Sequence, residues 1–136
     1  MKSTMTSLLA AAALAIAPAM APADDDLSYV LVSHAPDSDS WWNTIKNGIA
    51  LAGDQMNVEV EYRNPPTGDL ADMARIIEQA AASAPDGIIT TLADADVLSG
   101  PIQAAVDSGV DVVIINSGTP DQAREVGALM YVGQPE

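Results

Sequence analysis

The 136-residue sequence predicts an α/β fold, a doubly wound parallel sheet of about five strands with flanking helices. Short apolar runs alternate along the chain with segments whose apolar residues recur at helical spacing. The connections are too long for hairpins, so successive strands should run parallel through right-handed crossovers. Loops with polar side chains follow the apolar runs, and in such a sheet these loops meet at one edge.

The first 23 residues are interpreted as a secretory signal peptide. Lys2 precedes an apolar stretch from Leu8 to Ala17, and small residues suit cleavage after Ala21 or Ala23. That stretch is short for a membrane span, although a retained anchor helix is the alternative. We therefore expect residues 24–136 to be exported to a periplasm, with no stable membrane insertion after cleavage.

Composition restricts the classes of partner. The chain has no cysteine, so an exported fold must hold together without disulfides, and a lipid-modified cysteine is excluded. A formal net charge of -14 disfavours nucleic acid and anionic membrane surfaces. A neutral or cationic small molecule fits this charge better, although net charge bears mainly on solubility.

The first half of the mature chain predicts two strands and two helices. A strand of about residues 27–33 is followed by a helix that begins at two tryptophans, is capped by Ser40 and ends near Asn57. Alternating apolar and acidic residues over 58–62 predict a second strand near the sheet edge. Asp69, with Asp72 three residues later, predicts the N-terminus of the next helix, which Pro85 ends.

The second half repeats the alternation. Ile88 to Thr91 predicts the third strand, and Gly109 ends the helix after it. The run before Asn116 is the most apolar in the mature chain and predicts the fourth strand. The expected bounds are about 98–107 for that helix and 110–115 for the fourth strand, followed by a short turn or helix over 119–125 and a fifth strand over 128–132.

Candidate site residues stand where predicted strands end. They are Ser33, His34 and Asp39 with Trp41 and Trp42 after the first strand, Asp94 after the third, and Asn116 and Ser117 after the fourth. Such convergence suits a ligand crevice, although loops at this edge are polar in any doubly wound sheet. An indole face suits the C–H patches of a sugar ring, while carboxylates and amides bind its hydroxyls.

The residue types leave structural alternatives open. Because adjacent helical positions point about 100° apart, one tryptophan can pack on the sheet while the other faces the crevice, or both can be core residues. His34 is the chain's only histidine, which makes a zinc site improbable. The loop carboxylates could form an acid and base pair or a calcium cage, but capping or solvated roles are commoner. Glycine-rich fingerprints of phosphate or dinucleotide binding are missing, so no cofactor is expected.

Three segments carry a family resemblance. VLVSHAPDSDSWWNTIKNGIALA, PDGIITTLADADVLSGPIQAAVDSGVDVVIINSG and YVGQPE together resemble the N-terminal lobe of periplasmic sugar-binding proteins of ABC importers. This is the ribose-binding-like class, whose fold is shared with LacI-type repressor cores. The resemblance implies a sugar ligand, ABC transporter permease subunits as partners and a two-lobed periplasmic binding fold. Residues 24–136 would be one incomplete lobe of that fold, because family members are about twice as long.

The resemblance also implies particular ligand contacts. The family's paired aromatics match Trp41 and Trp42, the polar residue two positions before them matches Asp39, and the small residue closing the first strand matches Ser33. After the fourth strand the family often has Asp followed by Arg, where this sequence has Asn116 and Ser117. Without this arginine the resemblance does not imply a ribose-type hydroxyl clamp, and it leaves the identity of the sugar open.

Three functions compete at this point. A sugar-binding module of an importer, without chemistry, is the leading hypothesis. A small exported α/β hydrolase using Asp39 or Asp94 would need a nucleophile and a base together, and nothing in the sequence pairs them. An interaction module without small-molecule binding is compatible with a single lobe, whose last strand would present an unpaired edge. If the chain ends where this sequence ends, one lobe should bind sugar only weakly.

Overall fold

The computed structural model describes residues 27–133, which form five strands and four helices in strict alternation. The signal-peptide segment lies outside the described residues. In chain order the elements are β1 (Ser28–Val32), α1 (Trp42–Met56), β2 (Glu59–Arg63), α2 (Leu70–Ala82), β3 (Gly87–Thr90), α3 (Ala95–Asp107), β4 (Asp111–Ile115), α4 (Pro120–Glu125) and β5 (Met130–Val132).

All five strands are parallel and form one sheet in the order β2-β1-β3-β4-β5. β1 pairs with β2 on one side and with β3 on the other; Val30, for example, lies opposite both Glu61 and Ile88. The doubly wound parallel sheet predicted from the sequence is confirmed. β2 lies at a sheet edge, as its alternating acidic residues indicate, and β5 forms the opposite edge.

Helices cover the two faces of the sheet unequally. α2 and α3 pack on one face over a large core, and α4 joins them through Ala123 and Val126. α1 packs on the opposite face over a smaller cluster built on Leu31, Ala35 and Trp42. Buried residues of the larger core include Val30, Val32, Met73, Ile77, Ala80, Ile88, Leu98, Ile102, Ala105, Val112 and Ile114. Helices on both faces explain why the three central strands, β1, β3 and β4, read as largely continuous apolar runs.

Local signals set most helix ends. The Asp69 carboxylate accepts the backbone N–H of Asp72 and so caps α2, as the sequence predicts. α1 ends at Asn57, which has the left-handed φ of 52° that asparagine tolerates better than most residues. Thr119 caps α4 by accepting the backbone N–H of Gln122. Among the helices within residues 27–133, none is long and apolar enough to cross a membrane.

Two details of the sequence prediction were wrong. Ser40 does not cap α1 with its side chain; instead the Asp39 carboxylate accepts the backbone N–H of Trp41 at 3.0 Å. α3 begins at Ala95 rather than near Leu98, because the Asp94 carboxylate accepts two backbone N–H groups and starts the helix earlier. In both cases an aspartate read as a loop residue satisfies backbone donors at a helix N-terminus.

Truncation of the core should destabilise the fold far more than the same truncation on its surface. Ile77 of α2 is fully buried, so Ile77→Ala should lower the free energy of unfolding by about 2–5 kcal/mol. Leu51 of α1 is 58% exposed and gives a matched control, since Leu51→Ala should stay within about 0.5 kcal/mol of the native chain. Urea denaturation measures both, and equal losses would contradict this packing.

Candidate ligand-binding site

Backbone hydrogen bonds hold the loops after four strands together at one sheet edge. Ser33 N–H donates to the Arg63 carbonyl at 3.1 Å, which ties the loop after β1 to the end of β2. Thr91 N–H donates to the Val32 carbonyl at 3.3 Å, which joins the segments after β3 and β1. Leu92 N–H donates to the Ser117 carbonyl at 3.1 Å and brings in the loop after β4. These loops therefore share one rim, as the sequence predicts for the carboxyl ends of parallel strands.

The rim opens between β1 and β3. From β1 the chain passes into α1 on one face of the sheet, whereas from β3 it passes into α3 on the other face. Adjacent loops that leave in opposite directions create a crevice, which is where ligands bind in open α/β sheets. The loop after β1 carries His34, Asp39 and the tryptophans, and the loop after β3 carries Thr91 and Asp94.

The two tryptophans take different positions. Trp42 is 3% exposed and belongs to the cluster beneath α1, so it is a core residue. Trp41 is 55% exposed. Their rings lie 5.4 Å apart at 77°, an edge-to-face contact that fixes the orientation of one ring by the other. Of the alternatives left open by the sequence, the structure therefore has one buried ring and one solvent-facing ring.

His34 stands between Trp42 and the loop after β3. Its ring lies 5.7 Å from the Trp42 ring at 86°, and its Nδ1 is 2.9 Å from the Thr91 hydroxyl oxygen. The backbone N–H of His34 donates to the same oxygen at 3.2 Å. Burial lowers the pKa of His34 below 6.5 because it disfavours the imidazolium, and the nearby charge of Asp39 opposes this shift.

Ser33 is enclosed. Its exposed fraction is 0%, its hydroxyl lies 2.6 Å from the Tyr62 hydroxyl, and it accepts the Ala35 N–H at 3.3 Å. Tyr62 also packs under α1, and burial raises the pKa of its phenol. The sequence predicts that Ser33 contacts the ligand; in this structure Ser33 is not exposed to solvent, and its hydroxyl contacts Tyr62 and Ala35.

Two of the predicted site carboxylates act at helix N-termini. Asp39 accepts the N–H of Trp41, and Asp94 accepts those of Asp96 and Val97 at 2.9 and 3.2 Å. Each uses one oxygen, Oδ1, for these bonds. The second oxygen of each stays available for another contact.

Asn116 and Ser117 form an exposed corner after β4. Asn116 has a left-handed φ of 62°, and its carbonyl accepts the Tyr131 hydroxyl at 3.1 Å. The Ser117 hydroxyl donates to the Asn116 side-chain oxygen at 2.9 Å. The left-handed turn and these two bonds fix the direction of the loop, and they leave the Asn116 side-chain amide facing solvent.

Sequence reasoning missed three residues that build the site. Thr91 lies beneath His34, and Tyr62 holds Ser33. Asn64 donates through its side-chain amide to the Ala35 carbonyl and to Asp37 Oδ1, both at 2.9 Å, which ties the loops after β1 and β2 together. Thr91 and Asn64 directly follow strands and Tyr62 is the last but one residue of β2, so nearness to a strand end was the available signal. Within residues 27–133 there is no group of three or more side chains that could hold a metal ion.

Comparisons with known proteins agree on one family. A family model described as a periplasmic binding protein domain matches residues 29–136. A carbohydrate transporter from Acidothermus cellulolyticus 11B, solved with myo-inositol, is 37% identical with a TM-score of 0.75 over 80% of this chain and 37% of its own. GanP, a glucose-galactose binding protein from Geobacillus stearothermophilus, is 28% identical with a TM-score of 0.72 over 81% and 38%.

A third solved structure, a sugar-binding protein of a sugar ABC transporter from Bacillus halodurans, is 30% identical with a TM-score of 0.71 over 80% of this chain and 36% of its own. The chain thus spans less than two fifths of the length of these three structures. The comparison with curated proteins gave no match.

Titration of the single histidine tests the geometry around it. We expect NMR to give His34 a pKa below 6.5, and Asp39→Asn to lower it further by removing the charge that opposes the shift. Because the folded pKa lies below the unfolded value, His34 contributes stability that is fully present above about pH 6.5 and is lost as the pH falls through the folded pKa. A pKa above 6.5, or an upward shift in Asp39→Asn, would contradict this arrangement.

Proposed function

Since this chain belongs to the periplasmic binding protein family, we propose that it binds a neutral sugar or cyclic polyol on behalf of an ABC-type importer. The ligand would lie in the crevice between the loops after β1 and β3, with Trp41 against its apolar face. Asp39, Asn116 and Ser117 would bind its hydroxyls. The related structures described above carry sugars or sugar transport in their names, which supports this class of ligand.

The observation that carries the proposal is the edge-to-face pair of tryptophans, one buried and one exposed. Trp41 keeps 55% of its surface exposed at the carboxyl-end rim of the sheet, where a ligand can reach its indole face. It is also held in place, because its ring contacts the buried Trp42, which in turn contacts His34. A fixed aromatic face beside polar groups is a suitable surface for the C–H patches and hydroxyls of a sugar.

The charge of the chain supports an uncharged ligand. With a net charge of -14, an anionic solute would be repelled before it reached the crevice. At the rim itself, Asp39 and Asp94 have their negative charge partly balanced by helix N-termini. They remain good hydrogen-bond acceptors for hydroxyl groups, since an ionised carboxylate accepts on two oxygens.

We assign residues 1–23 to a signal peptide and residues 24–136 to the amino-terminal lobe of a binding protein that works in the periplasm. The permease subunits of an importer would be its partners. In this proposal the opposite side of the ligand is contacted by a second lobe, in line with the greater length of the related structures. The lobe described here supplies contacts from one side, so its own affinity for sugar should be weak.

Binding without chemistry accounts for the carboxylates better than hydrolysis does. A hydrolase that used Asp39 or Asp94 would need one of them as a nucleophile or base. Both accept hydrogen bonds from backbone N–H groups, and within residues 27–133 no hydrogen bond pairs either of them with a second titratable side chain. A hydrogen-bonded carboxylate is well suited to binding, where it has only to accept a hydroxyl.

Titration of the purified chain with myo-inositol, glucose and galactose tests the proposed function. We expect saturable binding of at least one of them with a Kd of about 1 mM or weaker. Trp41→Ala should weaken that binding about two- to twelvefold, because an aromatic contact is worth about 0.5–1.5 kcal/mol beyond its buried area. Chemical shifts of the indole N–H groups measure the affinity of the native chain. Because the variant lacks the Trp41 indole, backbone amide shifts measure its affinity.

Leu51→Ala is the control, since Leu51 is an exposed apolar residue on the same helix but away from its first turn. It should bind sugar as the native chain does. Equal weakening in both variants would contradict the role of Trp41. Absence of saturable binding for a panel of neutral sugars would reject the proposed function.

A further inference from the structure

His34 and Thr91 form a hydrogen-bonded pair at the point where the strand order of the sheet reverses, between β1 and β3. Val32 ends β1 and Thr90 ends β3, and these two strands are neighbours. His34 follows the end of β1 by two residues, and Thr91 follows β3 directly. The pair therefore stands at the floor of the crevice, 57 positions apart in the sequence.

Among the described residues, the Thr91 hydroxyl has one nearby acceptor to which it can donate its proton. Thr91 is 0% exposed, and its oxygen already accepts the backbone N–H of His34 at 3.2 Å. Within residues 27–133 its other hydrogen-bond partner is His34 Nδ1 at 2.9 Å. A threonine hydroxyl has one proton to donate, and a buried proton without an acceptor is unfavourable. The proton is therefore directed at Nδ1, which must then be the unprotonated nitrogen of the ring.

This assignment fixes the chemistry of the opposite ring nitrogen. When Nδ1 accepts, neutral imidazole carries its proton on Nε2. In the described part of the chain Nε2 has no hydrogen-bond partner, yet no buried side-chain nitrogen or oxygen is left without one. Nε2 is consequently open to solvent. The perpendicular contact with Trp42 and the bond to Thr91 restrain the ring, so the N–H has a defined direction.

We propose that His34 Nε2–H is a fixed hydrogen-bond donor that selects ligands presenting an acceptor oxygen at the floor of the crevice, and that Thr91 is the positioning residue that sets this tautomer. The inference rests on the proposed sugar-binding function and adds a specificity residue to it. The carboxylates at the rim only accept hydrogen bonds, whereas His34 donates one. A ligand oxygen that both accepts from His34 and donates to a carboxylate satisfies both, and a sugar hydroxyl is such a group.

The tautomer can be measured without any ligand. The chain has a single histidine, so long-range nitrogen–proton NMR spectra of the untagged protein contain one imidazole. We expect the Nε2–H form above the pKa of His34. Thr91→Val, which keeps the shape and removes the hydroxyl, should give a mixture of tautomers, and Thr91→Ser should restore the native pattern. An Nδ1–H tautomer in the native chain, or a native pattern in Thr91→Val, would overturn the role of Thr91.

Binding measurements test the donor separately. His34→Phe keeps a ring and removes the donor, and we expect it to weaken sugar binding about three- to tenfold. His34→Gln places an amide N–H near the position of Nε2 and should recover part of this loss. Monodeoxy analogues of the bound sugar should reveal one oxygen whose removal weakens binding to the native chain but not to His34→Phe.

The outcomes separate this inference from the proposed function. Suppose that the native chain has the Nε2–H tautomer but His34→Phe binds sugar with unchanged affinity. This result would overturn the proposed contact between His34 and the ligand, and it would leave the proposed sugar-binding function intact. A native chain that binds no neutral sugar would overturn the proposed function, and the ligand contact of His34 with it. Loss of affinity in His34→Phe, partial recovery in His34→Gln and the native tautomer together support the inference.

Discussion

The site depends on the place of β1 in the sheet, where it is hydrogen-bonded to β2 on one side and to β3 on the other. Because the chain leaves β1 towards one face and leaves β3 towards the opposite face, the two loops separate above their neighbouring strands. The fold therefore provides a crevice before any particular side chain is considered. The register between β1 and β3 places the residues that follow these strands at fixed positions in the crevice.

Several polar side chains at this rim form hydrogen bonds that hold the backbone and the loops in place. Helix N-termini present N–H groups that need acceptors, and Asp39 and Asp94 supply them. The Ser33 hydroxyl joins Tyr62 and the Ala35 N–H, and Asn64 ties together two loops. The groups that these hydrogen bonds leave free are the exposed Trp41 face, one oxygen each of Asp39 and Asp94, the exposed Asn116 amide and the Nε2 side of His34. The proposed ligand contacts are drawn from these groups.

Aromatic contacts link the small core beneath α1 to this surface. Trp42 belongs to that core, and it contacts both Trp41 and His34 edge to face. The ring at the surface is therefore restrained by the ring in the interior, which reduces the entropy lost when a ligand binds. The same arrangement explains why two adjacent tryptophans are useful at a helix start. Successive positions point in different directions, so one ring anchors the loop and the other stays accessible.

The sequence by itself determined the order of strands and helices, the fold class and most element ends, because these depend on local patterns. Helical spacing, the Asp69 cap and the end of α1 near Asn57 are all read from neighbouring residues. It placed the loop residues at the correct edge for the same reason. It did not determine that Ser33 is sealed, that Asp94 starts a helix, or which tryptophan is buried. Only the tertiary structure brought Thr91 beneath His34, because that contact joins residues 57 positions apart and depends on β1 and β3 being neighbours in the sheet.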